Sequence, residues 1–241
     1  REWLSYNYYM DARIAPSETS QKAALNTLFG QAKFEGPEKS VFRRVARFED
    51  AIWIDMCDEE WRAVKVTAGG WEVLAKPSVM FVRSPTMRPL PNPSEKGDLA
   101  PLWSLLNIPK GDQSLVLCWI LECYRIEPPY VVLELVGEQG SAKSKTQDVL
   151  RDFIDPNQVN LRAKPKNRES LFISAENSHL ISYENLSHLQ PEMQDAFCTL
   201  ATGGGFADRM LYTNKEESII DVKRPVILNG ISVLVTAQDL L

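Results

Sequence analysis

The segment Gly137-Glu138-Gln139-Gly140-Ser141-Ala142-Lys143-Ser144 sets small residues around a loop that ends in an adjacent lysine and hydroxyl. Small residues let backbone N–H groups turn inward onto phosphate oxygens, and the N-terminus of a following helix adds the positive end of its dipole. In such a loop the Lys143 ammonium reaches the β- and γ-phosphates, the Ser144 hydroxyl ligates Mg²⁺, and Lys145 continues the site into the first helical turn. The ligand implied is ATP with Mg²⁺. The pattern G-x-x-x-x-G-K-[ST] asks for glycine where Ala142 stands, and an alanine there is expected to hold φ negative more strictly than glycine would.

A phosphate loop needs an acidic residue on a second strand to hold the metal. His179-Leu180-Ile181-Ser182-Tyr183-Glu184-Asn185 offers Glu184 as that carboxylate. Asn185 stands where a water-polarising glutamate is common. An amide orients water but cannot take its proton, so either another group is the base or hydrolysis is slow. A third apolar run, Val226-Ile227-Leu228-Asn229-Gly230, ends in an amide. Asn229 either bonds the γ-phosphate or lytic water, or opens an Asn-Gly turn. Between these runs, Ala207 to Ile220 alternates as two short strands around Thr213-Asn214-Lys215-Glu216-Glu217. Lys215 falls near the tip of this hairpin and Arg209 near its base. Lys215 either meets nucleic acid from a pore loop or solvates a turn.

These residues need a scaffold, and the flanking pattern supplies one. Tyr130 to Val136 is a β-rich run leading straight into the loop, and Val149, Leu150 and Phe153 lie on one face of the helix expected over Lys145 to Phe153. Leu99 to Leu106 and Gln113 to Tyr124 read as helices. Ser17, after Pro16, opens a helix reaching Leu28. Val41 to Ile54 and Trp61 to Leu74 read as hairpins of one antiparallel sheet. Pro85, Pro89, Pro91 and Pro93 with Gly97 interrupt both helix and strand, which puts a linker over Arg83 to Asp98. The expected fold is α/β: a parallel core over residues 98–241, preceded by a small α+β domain over 1–97. The six tryptophans are expected in cores or half-buried.

Composition narrows the function class. A net charge of −5 excludes a surface that attracts nucleic acid everywhere. Any such contact is local, and Arg162, Lys164, Lys166 and Arg168 form one basic row that is either a contact or a solvated loop. Cys57, Cys118, Cys123 and Cys198 form no CxxC, and with only two histidines a zinc site is not expected. No apolar run reaches the length of a membrane span, and the N-terminus lacks the features of a signal peptide. A cytoplasmic location with no membrane partner is therefore expected.

GEQGSAKS (137–144), the strand ending Glu184-Asn185, TGGGFADRMLY (202–212) and PVILNGI (225–231) together resemble the helicase modules of phage and mobile-element primase-helicases. These are AAA+-like ATPases akin to superfamily 3 helicases. The resemblance implies a P-loop AAA+-like core that hydrolyses ATP between subunits of a ring, a hexamer, and moves on single-stranded DNA during replication, with a primase domain or protein as a further partner. It assigns Arg209 either to a neighbouring subunit's ATP site or to stabilising the hairpin. It places the family's trans-acting arginine and last core helices beyond Leu241, so the core is expected to be truncated there. Glu184 departs from an Asp-Asn ending while keeping the carboxylate. The competing expectation is a nucleotide switch that changes partners without unwinding DNA.

Overall fold

The protein is described by a computed structural model over residues 1–126, 129–204, 206–209 and 217–237. It divides into two compact units, Arg1–Ser40 and Val41–Leu241. The first unit is a pair of helices, α1 (Glu2–Ala12) and α2 (Glu18–Phe34). Ser17 caps α2 as its position suggests, accepting the backbone N–H of Ser20, a contribution of about 1 kcal/mol. Neither helix has a buried residue.

The second unit opens with β1 (Val41–Phe42), followed by the strands β2 (Val45–Phe48), β3 (Ala51–Asp55), β4 (Ala63–Thr67) and β5 (Gly70–Leu74) and by β6 (Met80–Phe81). β2 to β5 form one antiparallel meander, as their β-branched and aromatic content leads one to expect, and β1 pairs in parallel with β6. Ala46, Ala51, Trp53 and Ala63 form its small core with Val79. Trp53 and Trp119 are buried, whereas Trp3, Trp61 and Trp71 are exposed. The Arg83 guanidinium lies 3.8 Å from the centre of the Trp61 ring, which gives that exposed indole a cation–π partner.

The helices α3 (Ala100–Leu105) and α4 (Gln113–Glu122) then lead to β7 (Val132–Val136), α5 (Lys143–Ile154), α6 (Arg168–Glu176), β8 (Ile181–Leu186), α7 (Pro191–Thr202), β9 (Phe206–Arg209), β10 (Glu217–Ile220) and β11 (Val226–Gly230). β7, β11 and β8 form a parallel sheet in that order, with β11 in the middle. All five residues of β11 are buried, as an uncharged apolar run in a central parallel strand must be. Residues of α3, α4 and α5 cover one face through Leu102, Val116, Trp119 and Leu150. Residues of α6 and α7 cover the other through Leu171, Phe172, Phe197 and Leu200. The fold is mixed α/β, with parallel and antiparallel sheets. β9 and β10 pair antiparallel, so the expected hairpin is present in its strands.

The compact units divide after Ser40 rather than at residue 97. The reason is a buried ionic joint. Arg44, between β1 and β2, is fully buried with φ 58°. Its Nε donates to Asp155 Oδ1 at 2.8 Å, and its other nitrogens donate to the carbonyls of Asp55, Arg88 and Pro156. The proline-rich stretch is split in the same way: Arg88 N–H bonds Pro156 O and Leu90 N–H bonds Met56 O, while residues 91–100 are exposed. The antiparallel sheet thereby belongs to the same unit as the parallel one.

Candidate functional site

β7 delivers the chain to the loop at Gly137, and α5 carries it away from Lys143. The loop turns through two left-handed residues, Gly140 at φ 82° and Ala142 at φ 58°. The expectation of a negative φ at Ala142 is overturned. Ala142 is the N-cap of α5, and the chain enters the helix there from the αL region, which an L-residue occupies at roughly 1–2 kcal/mol. No side chain caps α5, so its first N–H groups have no intrahelical partner and point out of the helix toward the loop.

Lys143 is held across the loop. Its ammonium donates to the carbonyls of Gly137 and Glu138, each at 2.7 Å, and lies 3.3 Å from Ser141 Oγ. A cavity of about 300 Å³ follows the loop's outer side, lined by Gln139 to Lys145 with Asn185 and Ile231. Cationic side chains, free helix N–H groups and a serine hydroxyl around one concave site suit a polyphosphate and its metal. Among the described residues no three or more His, Cys, Asp or Glu side chains are grouped to hold a metal. A Mg²⁺ ion here would take most of its oxygens from phosphates and water, as it usually does.

Three of the residues singled out from the sequence meet at Asn229, which is fully buried. Its Oδ1 accepts the backbone N–H of Asn185 at 2.8 Å, and its Nδ2 donates to Gln147 Oε1 at 2.6 Å and lies 3.5 Å from Ser144 Oγ. A bulge makes this possible. Tyr183 pairs with Leu228 and Leu186 with Gly230, so Glu184 and Asn185 together face Asn229. Asn185 takes φ 53° at that point and sits on the cavity wall. Glu184 is half-buried, two residues along β8 from Ser182, whose Oγ accepts from Gln147. It is not among the residues lining the loop cavity.

Two residues of the site were missed in the sequence. Gln147 is fully buried on α5, and its Nε2 donates to Ser182 Oγ and Tyr183 O at 2.8 and 3.0 Å. It locks α5 to β8 and, through Asn229, to β11. Its signal was present: Gln147 shares a helical stripe with Leu150, Arg151 and Ile154, so a polar residue was due to be buried there. Asn107 donates through Nδ2 to Ser141 O at 2.8 Å and through its backbone N–H to Thr146 Oγ1 at 3.0 Å. No local pattern announces that contact.

Arg209 pairs with Glu217 in the β9–β10 register, with its side chain outside the described residues, and Lys215 lies wholly outside them. Arg162 is tied to β8 through backbone bonds to Ser182 and Glu184 and to Ser178 Oγ at 3.3 Å, whereas Lys164 and Lys166 are exposed. The four cysteines are free thiols. Among the described residues no helix is long and apolar enough to cross a membrane.

A mixed α/β protein with a strand–loop–helix at the edge of its parallel sheet is the class that this geometry defines. Residues 100–241, more than half of the chain, match the family of actinomycete integrative conjugative element replication proteins. The chain belongs to that family, whose role lies in DNA replication. This corrects the expected kinship with helicase modules of phage and mobile-element primase-helicases: the matching family is a replication family of integrative conjugative elements, not evidently a superfamily 3 helicase module. The ring, the hexamer and the primase partner were implied by that kinship and have no other support among the described residues. Comparison with curated proteins and with solved structures gives no match.

Proposed function

We propose that this replication protein binds ATP with Mg²⁺ on the loop Gly137 to Ser144, in a P-loop ATPase core, and uses its hydrolysis to act on single-stranded DNA. The observation that carries the reading is the convergence of Lys143, Ser144, Asn185 and Asn229 on one uncapped helix N-terminus. Lys143 would exchange its loop carbonyls for phosphate oxygens. Ser144 and Glu184 would hold Mg²⁺, which when bound neutralises charge on the β- and γ-phosphates. Asn229, fixed by Gln147, would set the position of Asn185, whose exposed amide would orient water at the γ-phosphate. No carboxylate follows Glu184 to take the proton from that water, so either another group is the base or turnover is slow.

The same feature supports a second reading, a nucleotide switch that exchanges partners without DNA-driven turnover. The test is ATPase activity with and without single-stranded DNA over a salt series. Stimulation of several-fold that fades with salt supports the motor, because phosphate contacts release counterions. Indifference to DNA, with ATP still bound, supports the switch. Loss of Mg²⁺-dependent turnover in Glu184→Gln supports the metal assignment, and unchanged turnover removes it.

A further inference from the structure

The phosphate loop separates two cavities. The one described above runs past Ser144 and Asn185. A second, of about 470 Å³, opens on the other side and shares Ser141 and Lys143 with the first. We infer that this second cavity takes the nucleobase and ribose of the nucleotide whose phosphates the loop holds. The inference rests on the phosphate-loop reading and adds to it the place and chemistry of the rest of the ligand.

The argument begins with the walls. Ile108 and Val116, from the α3–α4 connection and α4, face Leu133 and Leu135 of β7 across the cavity. Apolar walls of this kind, with a few polar groups at the edge, suit a flat heteroaromatic ring, and the volume falls in the range of roughly 300–1,000 Å³ usual for small-ligand sites. Two residues at its mouth, Leu115 and Val136, are 67% and 45% exposed. A seated ring would take that apolar surface out of water.

The hydrogen-bonding groups agree. β7 is an edge strand, paired only with β11 among the described residues. Its side away from β11 therefore offers backbone N–H and C=O groups to the donor and acceptor edge of a base. Asp112 stands at the rim as an acceptor for an amino or ribose hydroxyl group. Glu134 is already engaged by the backbone N–H of Leu234, so it is not the reader of the base. A polyphosphate has no reason to enter between leucines, whereas Lys143 and Ser141 mark where base-side and phosphate-side chemistry meet.

Asn107 holds the two halves in register. Its amide reaches Ser141 O in the loop and its backbone N–H reaches Thr146 Oγ1 in α5. The wall formed by Ile108 thus moves with the phosphate loop, and the pocket is set at a fixed offset from the phosphates.

The test compares Mg-ATP with inorganic tripolyphosphate, which presents the same phosphate chain without base or ribose, by calorimetry on the full chain. Leu115→Gln changes an exposed side chain, and Leu133→Phe fills the cavity from the strand side. The expected result is a loss of ATP affinity of about fivefold in the first and tenfold or more in the second, with tripolyphosphate affinity within about twofold of the parent. If Leu133→Phe does not fold, Leu115→Gln alone decides. ATP affinity unchanged in the folded variants, or ATP and tripolyphosphate weakened together, overturns the pocket. Failure of the parent protein to bind either ligand overturns the phosphate-loop reading itself, an outcome distinct from the other two.

Discussion

The two ends of α5 are built on opposite terms. At its N-terminus the chain enters through a strained Ala142, no side chain caps the helix, and a half-buried lysine rests on backbone carbonyls. At its C-terminus nearly every polar group is committed. Asp155, fully buried, takes Arg44 on one oxygen and the backbone N–H groups of His179 and Leu180 on the other, with Arg151 alongside at 3.2 Å. Burial by itself would raise the Asp155 pKa, but Arg151, Arg44 and His179 hold it well below the usual carboxylate range. One helix end is left open, and the other is closed and anchors the helix. The closed end gives the open one a fixed frame, because its buried ion pairs and hydrogen bonds hold α5 where the loop leaves its own N–H groups without partners.

Breaking the closed end should have the largest effect. Asp155→Ala strands two buried guanidinium groups and should cost about 3–5 kcal/mol in chemical denaturation, with any residual ATP binding lost only as the protein unfolds. At the junction between the two ends, Asn229→Ala abandons Gln147 Oε1 and the Asn185 N–H at about 1–3 kcal/mol for each buried group left unpaired. Its turnover should fall further than its affinity for ATP, and equal loss of both would remove Asn229 from water positioning.

Acid should act on the closed end first. His179 is buried, its Nε2 is 2.7 Å from Cys123 O, and burial, outweighing the pull of Asp155, lowers its pKa to about 4 from 6.5. Below 6.5 the unfolded chain binds a proton there that the folded chain refuses, so stability falls as pH drops toward about 4. The Asp155 contribution stays intact over that window, since a depressed carboxylate loses its stabilisation only further down. Urea titrations at about pH 7 and about pH 5 should differ by about 2 kcal/mol, and His179→Gln should flatten the difference. The smallest effect belongs to the open end: Ala142→Gly relieves the αL strain, partly offset by the freer unfolded chain, for a net gain of about 0–1 kcal/mol in thermal melts. Ala142→Val should lose stability, and a gain would contradict the strained geometry.

The same comparison separates what could be read in the sequence from what could not. The elements of the open end were legible because they are local: strand, loop and helix follow one another around Lys143 and Ser144, and the strand ending in Asn229 announced itself by its apolar run. The backbone at Ala142 was read with the wrong sign of φ, since the residue type argued for one region and the entry to α5 demanded another. The bulge that turns Asn185 onto Asn229 depends on strand register across a sheet, which no single strand encodes. The closed end was illegible for a related reason. Arg44 and Asp155 lie 111 residues apart, and Arg44 looks like one more charge in a hairpin until its partner is placed. That joint also moved the boundary of the compact unit back to Ser40, although the prolines did mark an exposed stretch.

The most direct test of the account is a calorimetric titration of Mg-ATP into the parent protein and into Lys143→Ala. The account predicts saturable binding by the parent, a loss of about tenfold to a hundredfold in the variant from one charge-assisted contact, and unchanged thermal stability of the unliganded protein. Equal binding by both proteins, or none by the parent, would contradict a phosphate site at the open end of α5.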